Sequence, residues 1–96
     1  MTKRFQALRT AVEKDVGGKA ERVKSTSVVE TFRGKVLWEG VVETFEVASG
    51  PEVKRCYAFI YPEANDDQRV ATIQEGPKVN SPESAVRAFI ASRVQR

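Results

Sequence analysis

Between Gly34 and Tyr61 the chain places two aromatic-rich, strand-like segments on either side of a Ser49-Gly50-Pro51 turn, and no other feature restricts the fold so strongly. The first segment carries Val36, Trp38, Gly40, Val42 and Phe45; the second reads Cys56-Tyr57-Ala58-Phe59-Ile60-Tyr61. The chain has one Trp, two Tyr and five Phe, and Trp38, Phe45, Tyr57, Phe59 and Tyr61 all fall in this stretch. β-Branched and aromatic side chains suit a pleated, half-buried surface, and Gly-Pro between two such runs marks a chain reversal. An antiparallel sheet is therefore expected at the centre of the molecule.

Elements on both sides complete the pattern. Phe5, Leu8, Val12 and Val16 recur at three- and four-residue steps, which predicts an amphipathic helix over about Lys3 to Asp15, stopped by Gly17-Gly18. A second helix is predicted over 82–94. Ser81 is its N-cap, Pro82 its first residue, and Val86, Phe89, Ile90 and Val94 its apolar face. Strands are expected over Val36–Val47, Lys54–Tyr61 and Arg69–Glu75, with Pro62–Asp67 as a loop. The segment Ala20–Phe32 reads as a further strand. Val-Val-Glu-Thr-Phe occurs there at 28–32 and again at 41–45, so the two copies suggest neighbouring strands in equivalent environments, with a turn near Gly34. Coincidence between two strand-like segments accounts for the repeat equally well.

The expected fold is thus an α+β two-layer sandwich in one domain, residues 1–96. It has a three- or four-stranded antiparallel sheet, with the N- and C-terminal helices on one face.

Composition narrows the chemistry. The 96 residues include no histidine and one cysteine, which removes His-based catalytic triads and any thiolate zinc site within one chain. The lone Cys56 fits a reducing compartment. With no run near the roughly 18 apolar residues of a membrane span, and no apolar signal segment after Met1, a cytoplasmic protein without membrane association is expected. Residues 1–35 hold nine basic and four acidic side chains, so the N-terminal third is basic. Such a surface either attracts an anionic partner or is a solvated helix face.

Strand parity in 54–61 puts Tyr57, Phe59 and Tyr61 on one face and Cys56, Ala58 and Ile60 on the other. If the small residues lie under the helices, the aromatic row joins Trp38 on an open face. Aromatic sheet faces stack unpaired bases in several RNA-binding domains, and they also serve as protein-docking surfaces. The alternative packing makes the aromatic row the core. Glu39, Glu43 and Glu46 read as solvent-facing strand residues rather than an acid–base pair, Cys56 as a small buried hydrophobe, and Asn65-Asp66-Asp67 as a turn that lacks the spacing of a calcium loop.

Two resemblances enter here. The pattern Val36-x-Trp38-x-Gly40-x-Val42-x-x-Phe45, then Arg55-Cys56-Tyr57-Ala58-Phe59, then Ser81-Pro82 with Ala85-Val86-Arg87-Ala88-x-Ile90 resembles a group of short, uncharacterised bacterial proteins. It covers roughly the last two-thirds of the chain and implies a small stand-alone protein with no catalytic residue or cofactor. The element order is also similar to that of double-stranded RNA-binding domains, with Gly50-Pro51 where those domains carry Gly-Pro-x-His. Val53 stands at the histidine position, and Ser81-Pro82-Glu83-Ser84 replaces their lysine-rich helix start.

The functional expectation is a non-catalytic binding or protein-interaction module without cofactor or metal, with another protein as partner or a homodimer through the sheet face or an edge strand. The alternative is nucleic-acid binding through Lys3, Arg4 and Arg9 on the first helix together with Trp38, Tyr57, Phe59 and Tyr61 on the sheet.

Overall fold

A computed structural model describes residues 3–49, 51–62 and 68–94. Helix α1 (Lys3–Val16) is followed by strands β1 (Lys19–Phe32), β2 (Lys35–Ser49), β3 (Glu52–Pro62) and β4 (Gln68–Gln74), and helix α2 (Pro82–Val94) ends the order. The strands form one antiparallel sheet in the order β1-β2-β3-β4, so each neighbour in space is also the neighbour in sequence. The α+β class, the antiparallel sheet and both helices agree with the sequence reading, and Ala20–Phe32 is indeed a strand. Residues 63–67, where the Asn65-Asp66-Asp67 turn is expected, and Gly50 lie outside the described residues.

Local chemistry explains the joints. Phe32 pairs with Lys35, which leaves Arg33 and Gly34 as a two-residue hairpin turn with φ of 53° and 78°. Two positive φ values belong to the type I′ turn, whose twist matches that of the strands it joins. At the start of α2, Ser84 N–H donates to Ser81 Oγ at 3.1 Å and Ser81 N–H donates to Ser84 Oγ at 2.9 Å. This is a reciprocal capping box with serine in the usual glutamate place.

One expectation needs correction: the helices do not share a face. Leu8 and Val12 of α1 pack on Phe45, Val47, Cys56 and Ala58. Ala85, Val86 and Phe89 of α2 pack on Trp38, Val42, Tyr57 and Phe59. Consecutive β3 residues belong alternately to the two clusters, so the sheet lies between α1 and α2. The Cys56–Tyr61 run is apolar on both faces because both are covered, which is how a doubly buried strand reads. With one helix on each side, the layering also differs from the single covered face of the sequence expectation.

The sheet is not continuous along its length. The β2–β3 ladder runs from Ser49↔Glu52 only as far as Glu43↔Ala58, whereas β1–β2 pairing continues to the Arg33-Gly34 turn. Beyond Glu43 the β1–β2 hairpin becomes a two-stranded arm. At the split, the Trp38 indole N–H donates to the Ile60 carbonyl at 3.0 Å, giving it a partner where the ladder has ended. The same ring lies across Gly40, where a Cβ would come within 2.8 Å of it. The Trp-x-Gly pair is therefore a packing unit, with the glycine leaving room for the indole.

Candidate functional site

Of the two packings open to the aromatic row, the structure has the one in which it is core. Trp38, Tyr57 and Phe59 are 5%, 1% and 0% exposed, and Tyr61 packs against the same cluster. Their rings form an edge-to-face series with α2: Trp38–Phe59 at 5.2 Å, Phe59–Phe89 at 5.5 Å and Tyr61–Phe89 at 4.8 Å between centroids. Such contacts add to the stabilisation from burial itself, and the buried Trp38, Tyr57 and Phe59 have no ring face left for a base. On α1, Arg9 is ion-paired with Glu13 at 3.6 Å. Lys3 and Arg4 lie in the first turn of α1, and their side chains are outside the described residues.

The reactive candidates are also accounted for. Burial pushes the Cys56 thiol up to about 12, with the Asp15 charge adding to the effect. A thiol this far above neutral pH is no nucleophile. Tyr57 is likewise raised, first by burial and then by Glu75. The three glutamates of β2 do not converge. Glu43 is buried and accepts a hydrogen bond from Ser25 Oγ, whereas Glu46 pairs with Arg55 at 3.3 Å on the other face. Among the described residues no cluster of potential metal ligands occurs.

A surface depression of about 900 Å³, open to solvent, has Phe5, Arg9, Arg22 and Glu43 among its walls. Several of its polar groups are already engaged: Arg9 with Glu13, and Glu46 with Arg55. Arg22 lies 5.3 Å from the Phe5 ring and donates to Ser25 Oγ at 3.4 Å, while Ser25 binds Glu43. The depression is a braced junction between α1 and the sheet, whereas a substrate site needs polar groups that converge on its interior.

What the described residues do leave unpartnered is backbone and apolar surface on β1 and the arm. β1 is a long edge strand, and most of its residues from Lys19 to Phe32 are exposed. An edge of this kind presents unpaired N–H and C=O groups to any added strand. The other edge, β4, is half as long. Val29, Phe32, Val36 and Leu37 are exposed together at the distal part of the arm. By register, Val29 and Val36 sit on the face away from α2, where α1 does not reach.

Sequence reasoning missed this site because its residues carry no motif. The two copies of Val-Val-Glu-Thr-Phe do lie on neighbouring strands, but the equivalent environments suggested by the repeat are not found. Phe45 is 0% exposed and Phe32 57%; Glu43 is bonded to Ser25, while Glu30 is paired with Arg87 at 3.0 Å. The same five letters are mostly core in β2, whereas in β1 only Val28 is fully buried and Val29, Thr31 and Phe32 are exposed. No family model, curated protein or solved structure matches the chain.

Proposed function

We propose that the protein is a non-catalytic interaction module that engages a protein partner through the β1 edge and the exposed side chains of the arm. The observation that carries this reading is the coincidence of an unpaired edge strand with Val29, Phe32, Val36 and Leu37 on one hairpin. Strand addition to an edge takes affinity from main-chain hydrogen bonds and specificity from neighbouring side chains. The burial of Cys56 and the engaged carboxylates favour binding over catalysis. The single, unpaired cysteine supports a reducing compartment such as the cytoplasm. Among the described residues, no helix is long and apolar enough to cross a membrane.

The nucleic-acid alternative loses its stacking platform with the burial of Trp38, Tyr57 and Phe59 and rests on charge alone. One experiment separates the readings. Proteins bound by the immobilised chain are compared with those bound by a Val29→Lys/Leu37→Lys variant, beside a salt titration of binding to labelled mixed-sequence RNA and DNA. Partners lost with the arm variant support the proposal. Partners retained by it, or nucleic-acid affinity that falls steeply with salt, overturn it.

A further inference from the structure

The β1 edge has a symmetry of its own. Val23 is an extra residue at the register shift between Arg22 and Lys24, and Leu37 is the extra residue on β2 opposite the shift between Glu30 and Thr31. Between these two irregularities, Lys24–Glu30 pairs regularly with β2. Its midpoint is Ser27. The interior of this stretch, Ser25-Thr26-Ser27-Val28-Val29, holds no charge and no proline. It therefore lacks the features that normally keep edges apart. The charges stand at its two ends, with opposite signs.

We infer that the first occupant of this edge is a second copy of the chain, paired antiparallel about a two-fold axis at Ser27. This rests on the reading of β1 as an interaction surface and names its partner. In that arrangement Lys24 lies opposite Glu30 of the second copy, and Glu30 opposite its Lys24. Ser25 lies opposite Val29, Thr26 opposite Val28, and Ser27 opposite itself. Lys24 and Glu30 are both on the α2 face of the sheet, opposite Thr44 and Trp38 in the β2 register, so the opposed charges meet on one side. Arg87 holds the Glu30 carboxylate in place there.

Neighbouring registers are poorer. A shift centred on Thr26 places Lys24 against Val28, brings the Val23 bulge into the pairing and, past that bulge, sets Glu21 against Glu30, like charges whose opposition is unfavourable. The Ser27 register also sets the two Thr26 side chains diagonal to each other. An isologous contact of this kind closes on itself. It joins two four-stranded sheets into one of eight strands, with the Lys24–Glu30 edge of each copy paired.

The test is charge reversal with rescue. Molecular mass is measured by sedimentation across the micromolar range for the unaltered chain, Lys24→Glu, Glu30→Lys and an equimolar mixture of the two variants, with tryptophan emission confirming that each is folded. The unaltered chain is expected to dimerise. Each variant alone, with both pairs now like-charged, should dimerise about tenfold more weakly or worse. The mixture should recover the dimer. One copy then carries negative charge at both positions and the other positive charge at both, so opposite signs meet at each end of the paired stretch. A monomeric unaltered chain, or a dimer indifferent to Lys24→Glu, overturns the inference. If that occurs while the Val29→Lys/Leu37→Lys variant still loses its bound protein, the wider reading of β1 and the arm survives; if neither variant has an effect, both fail.

Discussion

Two side chains show how single residues define this molecule. The Trp38 indole closes the split between β2 and β3, and Gly40 is the space it occupies. Gly40→Ala is expected to cost about 1–3 kcal/mol, as over-packing does. In a Trp38→Ala background the same change should cost much less, so a double-mutant cycle followed by urea denaturation should show clear coupling. Additive losses would mean that the indole does not depend on Gly40. Cys56 gives a second prediction, through its thiol. In the unfolded chain a cysteine loses its proton near pH 8.5, but in the fold burial pushes it up to about 12. Above the lower value the unfolded state binds fewer protons than the native state, so stability falls as pH rises until the native thiol ionises as well. Stability–pH curves of the native chain and Cys56→Ala should run parallel below about pH 8. Between about pH 9 and 12 the native chain should lose up to about 1.4 kcal/mol per pH unit more than the variant.

At the scale of elements, the sequence was most legible where local chemistry decides the outcome. Ser81-Pro82-Glu83 announced α2, and the Phe5, Leu8, Val12, Val16 spacing announced α1; both helices occur within a residue or so of the expected limits. β1 was harder to read because an edge strand buries little. Between Lys19 and Phe32 only Ala20 and Val28 are fully buried, so the apolar alternation that marks a half-buried strand is nearly absent. The joints offer direct checks. Ser81→Ala should cost about 1 kcal/mol through loss of the N-cap. Gly34→Ala, at φ 78°, should cost about 1–2 kcal/mol, since an L-residue is strained in that conformation. Either value near zero in urea unfolding would show that the joint does not hold its element in place.

For the whole molecule, the aromatic row could be read but its direction could not. Parity sorts Tyr57, Phe59 and Tyr61 from Cys56, Ala58 and Ile60, yet both sets are apolar, and nothing in their spacing says which helix covers which. The opposite-face arrangement follows only once the β2 register sends Phe45 and Val47 to α1 and Trp38 and Val42 to α2. The candidate surface was invisible for a related reason: it consists of what β1 does not pair with and what the arm does not bury. This layout makes an ordering prediction for amide hydrogen exchange. The β3 amides, hydrogen-bonded on both sides and covered on both faces, should exchange slowest. Those of the Phe32–Leu37 tip should exchange fastest within the sheet. Protection at the tip equal to that of β3 would contradict the arm as described.

The division of the core between two helices also bears on synthesis at the ribosome. α1 is made first, but its seat is built from Phe45 and Val47 of β2 and from Cys56 and Ala58 of β3. It cannot dock until the chain has been translated beyond β3. Through that interval the β1–β2 hairpin stands alone, with its apolar side chains turned to water on both faces. The nascent chain thus passes through a stage stickier than the finished protein, and shielding of the hairpin during translation would matter more for yield than any single contact in the native fold.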